Sequence, residues 1–312
     1  MPRQLGVVRG TSLCSCASGW AVLYSPSSSP PHHPQLKFTL TQDISSSINV
    51  YYQLTNYYQN HRVYVASRSS DQLQGKAPDE TKAAKDCTTK VYSNSSHLLY
   101  PCGLIANSFF NDKISLSTPS TRTMVETGIS WPMDKDKFVQ VTGFSSVAVD
   151  CNSLSTTTCA SRGLPSNCKS YKESSTSCYL FHYPDDEKIQ YLYETYPNIS
   201  PIRGVTDEHF MVWMRTAALP TFRKLYGTIS GPFKAGDILL FTVNPKYEVK
   251  SFGGTKALVI STVGQFGGKN MYLGAGYVVV GGLSLLLAFM FLLKHTLNGR
   301  ELGDAKLLIW SQ

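Results

Sequence analysis

Histidines, cysteines and short acidic runs are the residues of this 312-residue chain whose chemistry could define an activity. The seven histidines (32, 33, 61, 97, 182, 209 and 295) show no metal-ligand spacing. His61 and His209 have the chemistry of an acid–base pair, but a hydrogen-bonded structural histidine is the commoner use of that residue. Asp185-Asp186-Glu187 follows Pro184 and reads as a solvated acidic turn, with calcium binding as the rival. No G-x-S-x-G, H-E-x-x-H or G-x-G-x-x-G pattern occurs. The nearest phosphate loop, Gly264-Gln265-Phe266-Gly267-Gly268-Lys269-Asn270, is one residue short. It also ends in Asn where a magnesium-binding hydroxyl belongs. It reads as a glycine-rich hinge. With no catalytic set, no metal site and no cofactor site, the residues point to an interaction protein rather than an enzyme.

The eight cysteines are the stronger signal. Cys87 and Cys102 flank a polar loop, and closing it would stabilise the fold by about 3 kcal/mol on a loop-entropy basis. Cys151, Cys159, Cys168 and Cys178 lie in a Ser/Thr-rich stretch with few core-forming residues. Such a stretch orders poorly by burial alone, so disulfides are expected there, with three possible connectivities. No pair is spaced C-x-x-C, which argues against zinc. Cys14 and Cys16 receive no role. Two glycosylation sequons, Asn94-Ser95-Ser96 and Asn198-Ile199-Ser200, accompany the cysteines, the second weakened by Pro201. Both features belong to an oxidising, extracytoplasmic compartment.

What must position these groups is a membrane-attached fold. Hydrophobic residues make up 42% of the chain and charged residues only 16%, too apolar for a disordered polypeptide. The net charge of +8 is spread thinly, with no run of four Lys or Arg, so nucleic acid is not an expected partner. Met271 to Leu293 is a stretch of 23 residues without a charge. At 1.5 Å per residue it covers roughly 34 Å, enough for the hydrocarbon core of a bilayer. Tyr272 and Tyr277 sit near its start and Lys294, His295 and Arg300 follow it, as interfacial residues do. Gly274, Gly281 and Ala288 recur every seven residues, and Ser284 extends the stripe of small side chains. Such a stripe lets a partner helix approach closely. Cysteines and sequons precede this helix and none follows it. Residues 37–270 are therefore expected outside or in the lumen, and residues 294–312 in the cytosol.

Ahead of the helix, period-2 alternation predicts strands at Leu36–Leu40 and Ile48–Leu54. Apolar runs predict further strands at Val139–Val149, Ile238–Val243 and Leu258–Val263. Between Val205 and Arg223 the pattern turns helical, with Thr206 as the cap, Asp207 and Glu208 in the first turn, and Pro220 as the limit. A second helix is expected within Gln59–Leu73. The sum is an antiparallel, β-rich α+β domain with one C-terminal membrane helix. Residues 1–36, rich in Ser and Pro at 25–34, are expected to be a disordered or incorrect start.

Four blocks then carry a resemblance: Tyr57–Gly75 (YYQNHRVYVASRSSDQLQG), Tyr100–Ile114 (YPCGLIANSFFNDKI), Glu208–Tyr226 (EHFMVWMRTAALPTFRKLY) and Lys256–Leu273 (KALVISTVGQFGGKNMYL). In this order they resemble the ligand-effect modulator / cell division control protein fifty family, accessory β-subunits of type IV P-type ATPases, the lipid flippases. The resemblance runs from about Leu36 to His295. It implies two membrane helices, cytosolic termini and a glycosylated, disulfide-bonded lumenal domain. It places Cys87 and Cys102 at the positions of a family disulfide and makes the Cys151–Cys178 segment an insertion. The family's extra cysteine cluster is absent ahead of Phe38, and its first membrane helix is not found in residues 1–36, which suggests a truncated start. The implied partner is a type IV P-type ATPase α-subunit. That subunit would hold all the catalysis, in membranes of the secretory pathway or plasma membrane. The alternative is a single-pass receptor or adhesion glycoprotein, and a membrane-anchored lumenal hydrolase is a further rival.

Overall fold

The computed structural model describes residues 13–16, 19–24, 34–117, 122–152, 157–262 and 271–297. The glycine-rich segment 264–270 and the tail beyond residue 297 lie outside these. Two compact units divide at residue 263.

In the first unit the alternation of Ile48–Leu54 turns Ile48, Val50, Tyr52 and Leu54 inward, as the spacing predicts. This strand pairs antiparallel with Phe222–Ile229 on one side and Lys256–Ser261 on the other. Gly19–Tyr24 then pairs with Lys256–Ser261, and Leu13–Cys16 with Gly19–Tyr24. Met124–Val125 closes the opposite edge, making six antiparallel strands. A three-stranded sheet of Gln35–Thr39, Ile238–Asn244 and Lys113–Leu116 supplies more of the same core. There Phe38 meets Phe241 edge-on at 5.7 Å, and Tyr52 stacks on Phe110 at 3.9 Å. Aromatic pairs of this kind add to the burial that drives the fold.

A helix at Glu208–Met214 packs Phe210, Met211, Trp213 and Met214 into that core. Trp213 Nε1 donates to the Ile105 carbonyl at 2.8 Å. Its cap is Asp207, whose carboxylate accepts from the backbone N–H groups of His209 and Phe210. The expected cap was Thr206; an Asp one residue later serves both orphan donors. The helix ends at Met214, where Arg215 turns to extended backbone, short of the expected limit at Pro220.

A smaller arm joins Ser145–Val149, Cys178–His182 and Lys169–Lys172. Nested disulfides, Cys151–Cys178 around Cys159–Cys168, hold it about a small cluster that includes Val149, Leu164 and Leu180. Cys87–Cys102 ties the Glu80–Cys87 helix beside Leu98–Tyr100. That short strand runs parallel to Ile189–Tyr191, an exception to the antiparallel expectation.

Three further expectations are corrected. The expected start of the fold near residue 37 is too late, because Gly19–Tyr24 belongs to the main sheet and Tyr24 is buried. The run Trp20-Ala21-Val22-Leu23-Tyr24 is too short for a membrane span but has the length and apolar content of an inner strand. Gln59–Leu73 is two short helices, Arg62–Ala66 and Ser70–Leu73. Between them the Ser67 hydroxyl donates to the Cys87 carbonyl and accepts from Leu104 N–H, bonds that compete with helix continuation. Val139–Val149 is a strand only from Ser145. Before that, the Val139 and Thr142 N–H groups donate to Leu73 and Gly75 carbonyls instead. Gly75 sits at φ 77°, and a Cβ there would lie 2.3 Å from the Gln140 carbonyl oxygen. No other residue fits this close approach.

The second unit contains the Met271–Leu297 helix, apolar and exposed along its described side chains, long enough to cross a bilayer.

Within the main sheet one ion pair is fully enclosed. Lys256 Nζ lies 2.6 Å from Asp112 Oδ2, and neither side chain is exposed. Asp112 also accepts from Tyr24 Oη at 2.9 Å and from the Lys246 and Tyr247 N–H groups at 2.6 Å. Lys256 donates in addition to the Tyr247 carbonyl at 2.8 Å. Burial lowers the Lys256 ammonium from its ordinary value against the opposing pull of Asp112, and raises the Tyr24 hydroxyl. Replacing Asp112→Asn leaves the ammonium unpaired, with an expected loss of about 3–5 kcal/mol in thermal or denaturant unfolding. Asp112→Asn/Lys256→Met should recover part of it; a double variant no more stable than the single one would contradict the pairing.

Candidate interaction site

The C-terminal end of the Glu208–Met214 helix, the loop around residues 128–139 and the Arg68–Gln74 segment meet at a surface cleft of about 310 Å³. Leu73, Phe138, Met211 and Met214 give it apolar lining, and Arg68, Lys137, Arg215 and Asp134 give it charge. Few core residues hold the 128–139 loop: its Pro132–Lys135 helix has no buried residue. Charged clamps hold it instead. The Glu208 carboxylate accepts from the Gly128 and Ser130 N–H groups and the Ser130 hydroxyl, each at 3.0 Å, and from Lys135 Nζ at 2.9 Å. On the other side Asp134 meets Arg215 at 2.8 Å and Lys137 at 3.5 Å. The Arg215 guanidinium lies 5.1 Å from the Trp131 ring centre.

Beneath Arg215 lies a second buried cation. Lys224 Nζ donates to the Val212, Trp213 and Arg215 carbonyls at 3.0, 2.6 and 2.6 Å. These match its three N–H bonds. The carbonyls carry the negative end of the helix dipole. Burial, reinforced by the Arg215 charge, lowers this ammonium to about 7.

The histidines considered as an acid–base pair are not brought together. His209 Nε2 lies 3.0 Å from Glu126 and its ring lies tilted against Tyr226 at 4.5 Å, while His61 precedes the Arg62–Ala66 helix without a side-chain cap bond. Asp186, in the acidic turn, pairs with Lys169 at 2.8 Å. Among the described residues no group of three or more His, Cys, Asp or Glu could hold a metal. Asn94 is exposed in a turn, whereas the Asn198 side-chain amide donates to the Asn111 carbonyl and accepts from Lys246 Nζ. On the apolar helix Gly274, Gly281, Ser284 and Ala288 are exposed, and the Ser284 hydroxyl is bonded to the Val280 carbonyl at 2.9 Å.

Sequence reasoning missed the buried charges. Lys224 shares the inward face of its strand with Phe222 and Tyr226, so strict alternation would have flagged it. Asp112 and Lys256 are 144 residues apart, and no local pattern joins them.

A disulfide-braced β-rich unit, an exposed charged cleft and, among the described residues, one bilayer-length helix are the features of a membrane-attached interaction protein. The sequence matches the LEM3 (ligand-effect modulator 3) family / CDC50 family over residues 18–301. The chain belongs to that family. The match begins ahead of Leu36 and includes the Gly19–Tyr24 strand. Relatives include "ALA-interacting subunit 3" of Arabidopsis thaliana, 34% identical over 275 residues, covering 88% of this chain and 66% of the relative. "Cell cycle control protein 50A" of Mus musculus is 34% identical over 272 residues, covering 82% and 66%. "Phospholipid-transporting ATPase accessory subunit CDC50" of Chaetomium thermophilum is 32% identical over 293 residues, covering 89% and 63%. The chain thus spans about two thirds of these relatives.

Burial by itself would raise the Glu208 carboxyl. The hydrogen bonds from Ser130, Gly128 and Lys135 outweigh it and hold it at about 2. An unfolded Glu titrates near 4.5. The clamp's stabilisation is therefore complete above pH 4.5 and lost as pH falls toward 2. Allowing for partial solvent screening, Glu208→Gln should cost about 2 kcal/mol at neutral pH. It should also flatten the stability profile between pH 4.5 and 2 in denaturant unfolding.

Proposed function

We propose that this protein is a noncatalytic accessory subunit of a phospholipid-translocating P-type ATPase. Its similarity to the Chaetomium thermophilum protein named as such a subunit, over 89% of the chain, carries the reading. In this role the β-rich unit faces the lumen or cell exterior, in the endoplasmic reticulum, Golgi, endosomes or plasma membrane. Three disulfides suit that side. A rigid cap that meets one conformation of the pump better than another shifts its equilibrium by the difference in affinity. Hydrolysis and the phosphoryl intermediate belong to the partner. The face formed by Gly274, Gly281, Ser284 and Ala288 would pack against a partner helix, since small side chains allow close backbone approach.

Purification of the full chain from its native membranes in mild detergent should recover a P-type ATPase, identified by mass spectrometry, with lipid-stimulated ATP hydrolysis. Recovery of the chain alone, with phospholipid asymmetry unchanged after its deletion, would remove this reading and favour a single-pass receptor. Asn94 and Asn198 are the proposed glycosylation sites, both exposed; a glycosylated Asn198 keeps one N–H with which to donate to the Asn111 carbonyl. Peptide-N-glycosidase should therefore shift the mobility of wild type and of each single Asn→Gln variant, but not of Asn94→Gln/Asn198→Gln.

A further inference from the structure

The cleft beside the Glu208–Met214 helix has features that its part in holding the fold does not require. Three cations, Arg68, Lys137 and Arg215, surround one carboxylate, Asp134. The Asp134 charge is shared by Arg215 and Lys137. Among the described residues Arg68 has no carboxylate partner, and its side chain is exposed at the rim. The cleft therefore keeps a net charge of +2 over an apolar floor that includes Phe138, Met211 and Met214.

Alongside it stands a ledge of large apolar side chains that the fold holds outward. Met133 is 72% exposed and Trp131 44% exposed. Both sit on the loop clamped by Glu208 and Arg215, so they are displayed on a fixed frame. Trp, Met and Arg are enriched in the centres of protein interfaces, and rigid presentation reduces the entropy lost on binding. The arrangement repeats on the outside what Arg215 and Lys137 already do with Asp134: it offers planar and point cations to a carboxylate.

We propose that this cleft docks an extended acidic segment of a partner protein, with a carboxylate at Arg68 and Lys137 and neighbouring apolar side chains on Trp131 and Met133. The inference rests on the accessory-subunit reading and places the segment on the extracytoplasmic side of the ATPase partner. Charge complementarity selects the acidic character. The apolar floor and ledge select a polypeptide that alternates acidic and apolar residues.

The test uses the full chain in its native membranes, carrying Arg68→Glu/Lys137→Glu or, separately, Trp131→Ala/Met133→Ala. Lys137 and Trp131 also meet Asp134 and Arg215, so yield, disulfides and the unfolding midpoint are measured first. Arg68→Glu alone, at an exposed side chain outside these clamps, carries the charge test if the double variant is destabilised. The charge-reversed chain should recover about tenfold less P-type ATPase than wild type, and the wild-type complex should weaken as salt rises. The apolar pair should lower recovery without changing the salt dependence. If wild type recovers the ATPase and both variants do so equally, the docking inference is wrong while the subunit reading stands. If wild type recovers none, the subunit reading itself is wrong. Vesicles of phosphatidylserine and phosphatidylcholine serve as the rival probe. Vesicle binding by wild type that charge reversal abolishes, with ATPase recovery intact, would assign the cleft to a lipid headgroup and overturn the peptide occupant.

Discussion

The enclosed pairing of Asp112 with Lys256 is the constraint on which the rest of the main sheet depends. Taking two charges out of water costs several kcal/mol each, and mutual attraction offsets this only with close geometry and every other bond satisfied. Here Asp112 receives four donors from four different residues, and Lys256 finds a carbonyl besides its carboxylate. Those donors come from the Gly19–Tyr24 strand, the segment around Lys246 and the first residue of Lys256–Ser261. Shifting any one of them leaves a buried charge short of a partner. The pair therefore fixes register and relative placement more than it adds net stability. A slip of one residue along Lys256–Ser261 would carry the lysine to the other face.

Two other polar centres work the same way nearer the surface. Lys224 closes the helix end through three carbonyls, and Glu208 at that helix's start holds the 128–139 loop. The seven-residue helix is thus fastened at both ends by side chains outside its own ladder, while its apolar face fills the core. Isolated helices of this length are not stable in water, so tertiary fastening is what sets its position. The cleft lies where these fasteners meet.

Much of the architecture was legible. Alternation located Ile48–Leu54 and Gln35–Thr39, and an apolar run located Ile238–Asn244, each to within a residue or two; all three have one buried face. The apolar helix was plain from its lack of charge. The strand at Phe222–Ile229 was not read, because the helical pattern was carried from Val205 as far as Arg223. Gly19–Tyr24 was hidden because its neighbours are rich in Ser and Pro, and its pairing partner lies over two hundred residues away. The candidate site was scarcely legible. Arg68, Lys137 and Arg215 are ordinary surface cations in sequence, and only the tertiary fold gathers them around Phe138 and Met211.

The Lys256–Ser261 strand has a mechanical consequence. Among the described residues it is the last strand before the bilayer-length helix, so a pull transmitted along the chain reaches the fold at this strand. There it meets a strand buried on both faces, in register with Gly19–Tyr24 over five residue pairs and with Ile48–Leu54 over six. A load along that axis must shear two ladders at once rather than peel an edge one bond at a time.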